Sequence, residues 1–346
     1  MRKYSVNSKI ARSLIPESYY PSGASGLIAA SYANSTWRKF DAAVKSYEKF
    51  LCDKSICISW PFSHDNLIEY VCWGSDKGYK ASTIDSYLAL LKNIHKMKGV
   101  GFDQFDSYVL KSLIRGKENL EVYTAEVKAT RKVMTLHLLR ILGHAISKCN
   151  WGENSKLVVW GAMTTAFFGS FRCGELLAQN ENSFSPDDCL LWKDVKFYDD
   201  DHILIHVKNP KTKTRGGEFV DIFGFEGKGV CPVKAMKKLR DSLKTVDPNS
   251  PVFCFESGIC LTRRKLNEIL VNLLTPYIGS EAKNITGHSF RAGIPAVLAK
   301  FPDICSAYDI MGWGRWKSEA YLLYTRLKID QKRCTYNTIV NLLNKE

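Results

Sequence analysis

The stretch GHSFRAGIPAVLAKFPDICSAYDIMGWGRWKSEAYLLYTR, residues 287–326, gives the strongest indication of how this chain folds. His288 and Arg291 stand three residues apart near its start, a spacing that places both side chains on one helix face. Trp316 and Tyr324 stand eight residues apart near its end. Taken singly, such aromatic side chains most often pack in a core. Placed near a helix N-terminus, His288 and Arg291 would add to its positive dipole and surround an anion.

A second stretch, FFGSFRCGELL at residues 167–177, combines an apolar helix with an ion pair. The uncharged run before it predicts a buried core helix over about 156–178. Arg172 lies near the end of this helix, and Glu175 follows three residues later on the same face. A partly buried arginine is costly unless it is paired, and Glu175 could hold its guanidinium in place. The alternative is an arginine that neutralises the helix C-terminus.

A third stretch predicts a hairpin with a basic tip. The strand-like segments His202–Val207 and Glu218–Phe223 flank the sequence KNPKTKTRGG, and a third strand is predicted at Leu190–Tyr198. One lysine on such a tip could protonate a leaving hydroxyl, whereas a solvated basic loop is the commoner role. The cations of this tip are Lys208, Lys211, Lys213 and Arg215.

The charge of the chain indicates a polyanionic partner. The formal net charge is +14 and the isoelectric point is near 9.2, an excess that folding does not require. The longest uncharged run, Leu157–Phe171, is too short to span a bilayer. We therefore expect double-stranded DNA as the partner and no membrane segment.

The order of patterns along the 346 residues predicts two domains. Four amphipathic helical patterns come first, and Gly116 is a natural helix stop. A charged, apolar-poor stretch then separates them from a mixed second domain, which opens with a helix at about 135–148. The predicted segments are a flexible lead-in at 1–30, a helical DNA-binding domain at 31–116, a linker at 117–132, a catalytic domain at 133–330 and a helical tail at 331–346.

The residue types favour phosphoryl chemistry without a metal or other cofactor. Arginine, lysine, histidine, indole and phenol groups are the parts needed for an in-line attack on phosphorus. The sequence has no Asp/Glu cluster suited to two-metal nuclease chemistry. Its eleven cysteines are scattered without a C-x-x-C pair, which argues against a zinc site or a disulfide framework and favours a reducing compartment.

With these segments in view, the sequence resembles the tyrosine recombinase (phage integrase) family over roughly residues 30–330. Residues 169–176 resemble its G-x-x-R-x-x-E-L box, and residues 288–291 resemble its H-x-x-R box. Residues 314–324 resemble the G-R-W-x-S-x-x-Y-x-x-Y variant of eukaryotic mobile elements, the DIRS-type retroelements and Crypton-type transposons. The resemblance implies a mainly α fold with a small antiparallel β-sheet in the catalytic domain, arranged as a two-domain C-clamp around DNA.

The resemblance also implies a role for each matching residue. Tyr324 is the nucleophile, which forms a 3′-phosphotyrosine and releases a 5′-hydroxyl. Arg172 and Arg291 clamp the non-bridging oxygens, His288 assists proton transfer, and Glu175 supports Arg172. Three roles stay open between two residues each: the leaving-group acid, the further phosphate donor and the nucleophile. The pairs, with the preferred residue first, are Lys211 and Lys213, Trp316 and Arg315, and Tyr324 and Tyr321.

The implied function is site-specific DNA recombination, with cleavage and rejoining that need neither metal nor ATP. Alternatives are DNA relaxation of the type IB topoisomerase kind and an inactive, domesticated DNA-binding protein. The family also implies dimers and tetramers on DNA through the tail, and a nuclear location if the chain comes from a eukaryotic mobile element, or otherwise a cytoplasmic one. The further residues predicted to contact DNA are Lys208, Arg215, Arg38, Arg263 and Arg264.

Overall fold

The computed structural model describes residues 24–124, 132–198, 200–210, 216–224, 230–301 and 305–316. The chain divides into two compact units, Met1–Lys128 and Ala129–Glu346. The described residues are mostly helical and contain one three-stranded antiparallel sheet, so the predicted fold class is confirmed. Within these ranges, no helix is both long enough and apolar enough to cross a membrane.

The first unit is helical and packs around an aromatic core. Trp37, Phe40 and Tyr47 are each at most 1 % exposed. Ser63 caps the helix that begins at His64, because its hydroxyl accepts the backbone N–H of Asn66. The α-helices of this unit are α1 Ala24–Ser31, α2 Asn34–Asp53, α3 His64–Asp76, α4 Ala81–Lys98 and α5 Tyr108–Thr124.

Two boundaries of the first unit differ from the sequence prediction. Helix α1 forms inside the segment predicted as a flexible lead-in, of which residues 1–23 lie outside the described ranges. Helix α5 runs past Gly116, the predicted stop, to Thr124. A glycine in a helix costs only about 1 kcal/mol, and the good helix formers around it outweigh that cost. The Glu121 carboxylate also accepts the backbone N–H of Ala81 at 2.7 Å, which caps α4.

The second unit is built around α7, most of whose residues are buried, as predicted for an apolar run of this length. The predicted continuous helix over 156–178 is wrong, because α7 ends at Phe168 and α8 begins at Cys173. Between them, Ser170 adopts a left-handed backbone conformation with φ of 48°. The helices of this unit are α6 Leu136–Lys148, α7 Glu153–Phe168, α8 Cys173–Leu176, α9 Pro232–Asp241, α10 Arg263–Ile278, α11 Gly287–Arg291, α12 Gly293–Leu298 and α13 Ala307–Gly314.

The sheet has the order β1-β2-β3, with β1 Val195–Phe197, β2 His202–Val207 and β3 Glu218–Phe223. Strands β2 and β3 match their predicted bounds, and Val207 pairs with Glu218 where the hairpin loop leaves the sheet. Strand β1 is shorter than the predicted Leu190–Tyr198. A 3₁₀ turn at Trp192–Asp194 precedes it, because the Asp194 carboxylate accepts the backbone N–H of Leu191.

Candidate active site

The break between α7 and α8 places Arg172 at the start of α8 rather than inside a helix. The Arg172 guanidinium Nη1 donates to Glu175 Oε1 at 2.7 Å, and the Arg172 backbone N–H donates to Glu175 Oε2 at 2.9 Å. The Glu175 side chain is 4 % exposed, whereas that of Arg172 is 27 % exposed. The predicted pairing of these residues is thus present, and it leaves part of the guanidinium open to a ligand.

His288 and Arg291 share the short helix α11, as their spacing predicts. Arg291 is 2 % exposed, and its two terminal nitrogens donate to the backbone carbonyls of Ser170 at 2.9 Å and Gly314 at 2.6 Å. The guanidinium carbon lies 5.5 Å from the Trp316 ring. Arg291 therefore ties three segments together.

Close packing holds α11 against α8. A Cβ atom built on Gly287 would lie 2.3 Å from the Sγ of Cys173, so only glycine fits there. The Gly287 backbone N–H donates to Asn267 Oδ1 on α10 at 2.8 Å. Burial raises the pKa of the Cys173 thiol to about 12, which keeps this neighbour of Arg172 protonated and poorly nucleophilic.

Arg315 joins the same cluster. Its Nη2 donates to Glu175 Oε2 at 2.8 Å and lies 3.4 Å from the Ser170 carbonyl oxygen. Its Nη1 lies 3.5 Å from Glu218 Oε2 on β3, and its guanidinium carbon lies 4.9 Å from the Phe171 ring. The sequence left Arg315 and Trp316 as alternatives for one phosphate donor. In the structure, Arg315 contacts Glu175 beside Arg172, whereas Trp316 lies against Arg291.

The electrostatics of the cluster favour an ionised Glu175. Burial alone would raise the pKa of Glu175. The Arg315 charge, the Arg172 backbone N–H and the Arg172 charge together hold that pKa below its usual value. Glu175 therefore stays a carboxylate and can orient two guanidinium groups at once.

The other predicted cations are placed differently. Lys208 donates to the Pro186 carbonyl and pairs with the buried Asp194 at 2.6 Å, so its ammonium serves the structure of the hairpin base. Arg264 is exposed and pairs with Glu181 at 2.7 Å. Arg38 and Arg263 are exposed on α2 and α10. The predicted residues that lie outside the described ranges are Lys211, Lys213, Arg215, Tyr321 and Tyr324.

The structure thus brings Arg172, Glu175, Arg291, Arg315 and Trp316 together, with His288 on the helix that carries Arg291. Two participants were not apparent from the sequence. The Ser170 backbone carbonyl accepts from two arginines, and the Asn267 amide holds α11. Backbone acceptors carry no sequence signal, and Asn267 lies inside an ordinary amphipathic helix. A cluster of guanidinium groups held by a carboxylate is suited to binding a phosphodiester and stabilising its negative charge.

Comparisons with known proteins identify one domain and the fold of this chain. Residues 26–98 match the family of the phage integrase N-terminal SAM-like domain. No curated protein is detectably similar in sequence.

Several solved structures share the fold. A lambda integrase dimer bound to a COC′ core site is 13 % identical, with a TM-score of 0.53, covering 88 % of this chain and 95 % of that one. The Tn1549 transposon integrase bound to transposon right-end DNA is 13 % identical, with a TM-score of 0.59, covering 95 % of this chain and 99 % of that one. The XerH recombinase in a post-cleavage complex with palindromic difH is 14 % identical, with a TM-score of 0.58, covering 89 % and 81 %.

The resemblance to tyrosine recombinases is therefore confirmed at the level of domain and fold, whereas the narrower resemblance to DIRS-type and Crypton-type recombinases stays a prediction. This chain carries a phage integrase N-terminal SAM-like domain and has the fold of the tyrosine recombinases.

Proposed function

We propose that the protein is a site-specific DNA recombinase that cleaves and rejoins DNA through a covalent 3′-phosphotyrosine at Tyr324. The phenol oxygen attacks the scissile phosphorus, the bond to the 5′ oxygen of the next nucleotide breaks, and that oxygen leaves as a 5′-hydroxyl. The reverse attack by an incoming 5′-hydroxyl restores the phosphodiester. The phosphotyrosine conserves the energy of the broken bond, so the proposed cycle needs no ATP.

The observation that supports this proposal is the convergence of Arg172 and Arg291 on the break after α7. The guanidinium of Arg172 is held by Glu175, and that of Arg291 is held by the carbonyl of Ser170, only two residues before Arg172. The five-coordinate transition state carries extra negative charge. Preorganised donors aimed at such charge are each worth about 10²–10³ in rate.

The nucleophile and the proton donors complete the proposed mechanism. The ordinary pKa of tyrosine is near 10, so neighbouring guanidinium groups must favour the developing phenolate of Tyr324. His288, beside Arg291 on α11, is proposed to assist proton transfer. Lys211, in the loop that joins β2 to β3, is proposed to protonate the leaving oxygen.

A nicked trapping substrate tests this proposal. Cleavage next to the nick releases a short oligonucleotide that diffuses away, and the enzyme stays joined to the 3′ phosphate. We expect Tyr324→Phe to bind this DNA and form no adduct, and the matched Tyr321→Phe to form the adduct. Adduct formation by Tyr324→Phe contradicts the proposal.

We also propose that residues 331–346 mediate assembly on DNA, because Ile339, Leu342 and Leu343 form an apolar stripe at helical spacing. Deleting residues 331–346 should abolish the joining of two DNA-bound dimers. Sedimentation of the DNA complexes measures this, and unchanged assembly contradicts it.

Exchange between two marked duplexes separates recombination from relaxation of a single supercoiled duplex. Adducts and relaxation without any exchange would favour the topoisomerase alternative. DNA binding without adducts would favour an inactive DNA-binding protein. The set of arginines around Glu175 favours the recombinase over the latter, since DNA binding alone does not require guanidinium groups held by a buried carboxylate.

A further inference from the structure

We infer that Arg315 is a positioning residue of the candidate active site, which bridges two carboxylates and thereby fixes the guanidinium of Arg172 relative to the base of the β2–β3 hairpin. This inference rests on the proposed function, because its consequence is measured as the rate of strand cleavage. It also gives Arg315 and Trp316 separate roles in place of a choice between them.

The first support is the pattern of contacts at Glu175. Its Oε1 accepts from the Arg172 guanidinium, and its Oε2 accepts from the Arg172 backbone and from Arg315. One carboxylate therefore orients two guanidinium groups. Without Arg315, Glu175 Oε2 loses one of these two hydrogen bonds. The carboxylate can then rotate with Arg172 attached to it.

The second support is the link to the hairpin. Glu218 begins β3 and pairs with Val207, so it closes the ladder from which the loop 208–217 emerges. Arg315 Nη1 lies 3.5 Å from Glu218 Oε2, and the Arg315 side chain is only 12 % exposed. Among the described residues, Arg315 thus forms ion pairs with both the hairpin base and the segment that carries Arg172.

The third support is that the two ends of one contact both lie at helix C-termini. Three non-glycine residues of the described ranges have positive φ, and two of them are Ser170 at 48° and Arg315 at 52°. Arg315 Nη2 lies 3.4 Å from the Ser170 carbonyl oxygen. Each residue closes the end of its helix through backbone hydrogen bonds, so the contact joins the end of α7 to the end of α13.

The fourth support is an excess of hydrogen-bond donors. Within the described ranges, Arg315 Nε and Nη1 and the Ser170 hydroxyl are buried without a hydrogen-bond partner, although Nη1 keeps its ionic contact with Glu218. Leaving buried polar groups unsatisfied lowers the stability of the fold. A well-packed apolar side chain at this position would often make the fold equally or more stable. The guanidinium of Arg315 is therefore better explained by a role in the site than by stability.

Single-turnover cleavage at saturating DNA, measured beside the dissociation constant of the DNA complex, tests this inference. We expect Arg315→Met to slow cleavage about 10- to 100-fold, the range for losing a group that orients an active-site residue. The dissociation constant should change less than about 2-fold, since Arg315 is buried. Arg240→Met is the matched control, because Arg240 also pairs with a carboxylate and lies 4.4 Å from an aromatic ring, that of Phe197. Its cleavage rate should equal that of the wild type.

A second substitution and a second background separate positioning from general damage. Arg315→Lys keeps a cation but reaches only one carboxylate, and we expect it to fold and to cleave about 10-fold more slowly. In a Glu175→Gln background, adding Arg315→Met should slow cleavage by less than about 2-fold, because the two residues act as one unit. A full, additive loss in that background overturns the inference.

The outcomes also distinguish this inference from the proposed function. Absence of an adduct with the wild-type protein contradicts the proposed function itself. An adduct with the wild type together with wild-type cleavage rates for Arg315→Met contradicts the positioning role alone. If Arg315→Met does not fold, a wild-type rate for Arg315→Lys contradicts it equally.

Discussion

The two units of the chain treat polar groups differently in their interiors. In the first unit, the buried polar side chains of the described residues are Ser46 and His95. Ser46 hydrogen-bonds to the Tyr70 hydroxyl at 2.8 Å, and His95 accepts the Phe62 backbone N–H at 3.1 Å. Burial lowers the pKa of His95, so this histidine is neutral. These two side chains are uncharged and hydrogen-bonded, whereas the buried Tyr47 hydroxyl, also uncharged, has no hydrogen-bond partner within the described ranges.

The second unit buries ionic groups. Arg291 is 2 % exposed, and the side chains of Glu175 and Asp194 are 4 % and 5 % exposed. Taking an ion out of water costs several kcal/mol, and well-packed apolar residues often stabilise a fold as well or better. The first unit is thus organised for packing, whereas the second accepts a cost in stability to hold guanidinium groups in place. The proposed strand cleavage gives a reason for that cost.

The sharpest way to break this comparison is to remove a charge from one interior and an apolar group from the other. We expect Arg291→Met to lower the cleavage rate at saturating DNA by about 10²–10³-fold. It should lower the free energy of unfolding by about 1–3 kcal/mol, because the Ser170 and Gly314 carbonyls lose their donor. Leu91→Ala, at a fully buried position of the first unit, should cost about 2–5 kcal/mol.

Under conditions where both variants are folded, Leu91→Ala should cleave at the wild-type rate. Equal losses of cleavage rate in the two variants would show that the difference between the interiors has no bearing on the chemistry.

A steric change sharpens the comparison within the second unit. Gly287→Ala places a Cβ atom 2.3 Å from Cys173 Sγ and pushes α11 away from α8. We expect a loss of about 1–3 kcal/mol, typical of overpacking, together with slower cleavage. Adding Cys173→Ala should restore part of both losses. A double variant no better than Gly287→Ala would show that this contact does not align the two helices.

Surface and interior cations of the second unit can be told apart by salt dependence. Each phosphate contact contributes about 0.9 to the slope of log affinity against log salt. If Arg264 contacts DNA as predicted, Arg264→Gln should lower that slope by about 1. Lys208→Met should leave the slope unchanged and destabilise the fold by about 1–3 kcal/mol, because Asp194 loses its partner. A reduced salt slope for Lys208→Met would show that Lys208 contacts a DNA phosphate.

The smallest expected effect concerns His95 in the first unit. Its folded pKa is lowered, so the unfolded chain binds the proton more readily, and stability is lost as the pH falls below the unfolded pKa near 6.5. We expect the midpoint temperature for unfolding of the first unit to decrease when the pH is lowered from 7.5 to 5.5. In His95→Gln this decrease should be smaller. The same pH response in both proteins would contradict a neutral, structural His95.

The sequence predicted the parts of the fold that local patterns determine. Every second residue of β2 is buried and every second residue of β3 is exposed, and the predicted bounds of both strands match the structure. The spacing of Arg172 and Glu175 predicted their ion pair. These features depend on neighbours within a few residues.

Features that depend on distant groups were not predictable in the same way. The apolar pattern in the sequence continues through Phe167 and Phe171, yet the helix is interrupted around Ser170. Its carbonyl is used there by arginines 121 and 145 residues away along the chain. Lys208 was predicted to contact DNA because its sequence surroundings are basic, whereas its partner Asp194 directly precedes the neighbouring strand β1. Residue type indicates which charges are present, but the fold decides which of them are already paired.

The most direct test of the central claim is to identify the amino acid that becomes joined to DNA. Wild-type protein is trapped on a nicked substrate, digested, and the nucleotide-bearing peptide is sequenced by mass spectrometry. The account predicts a 3′-phosphate linked to the phenol oxygen of Tyr324. Linkage to any other side chain, or an absence of covalent product while DNA is bound, would contradict it.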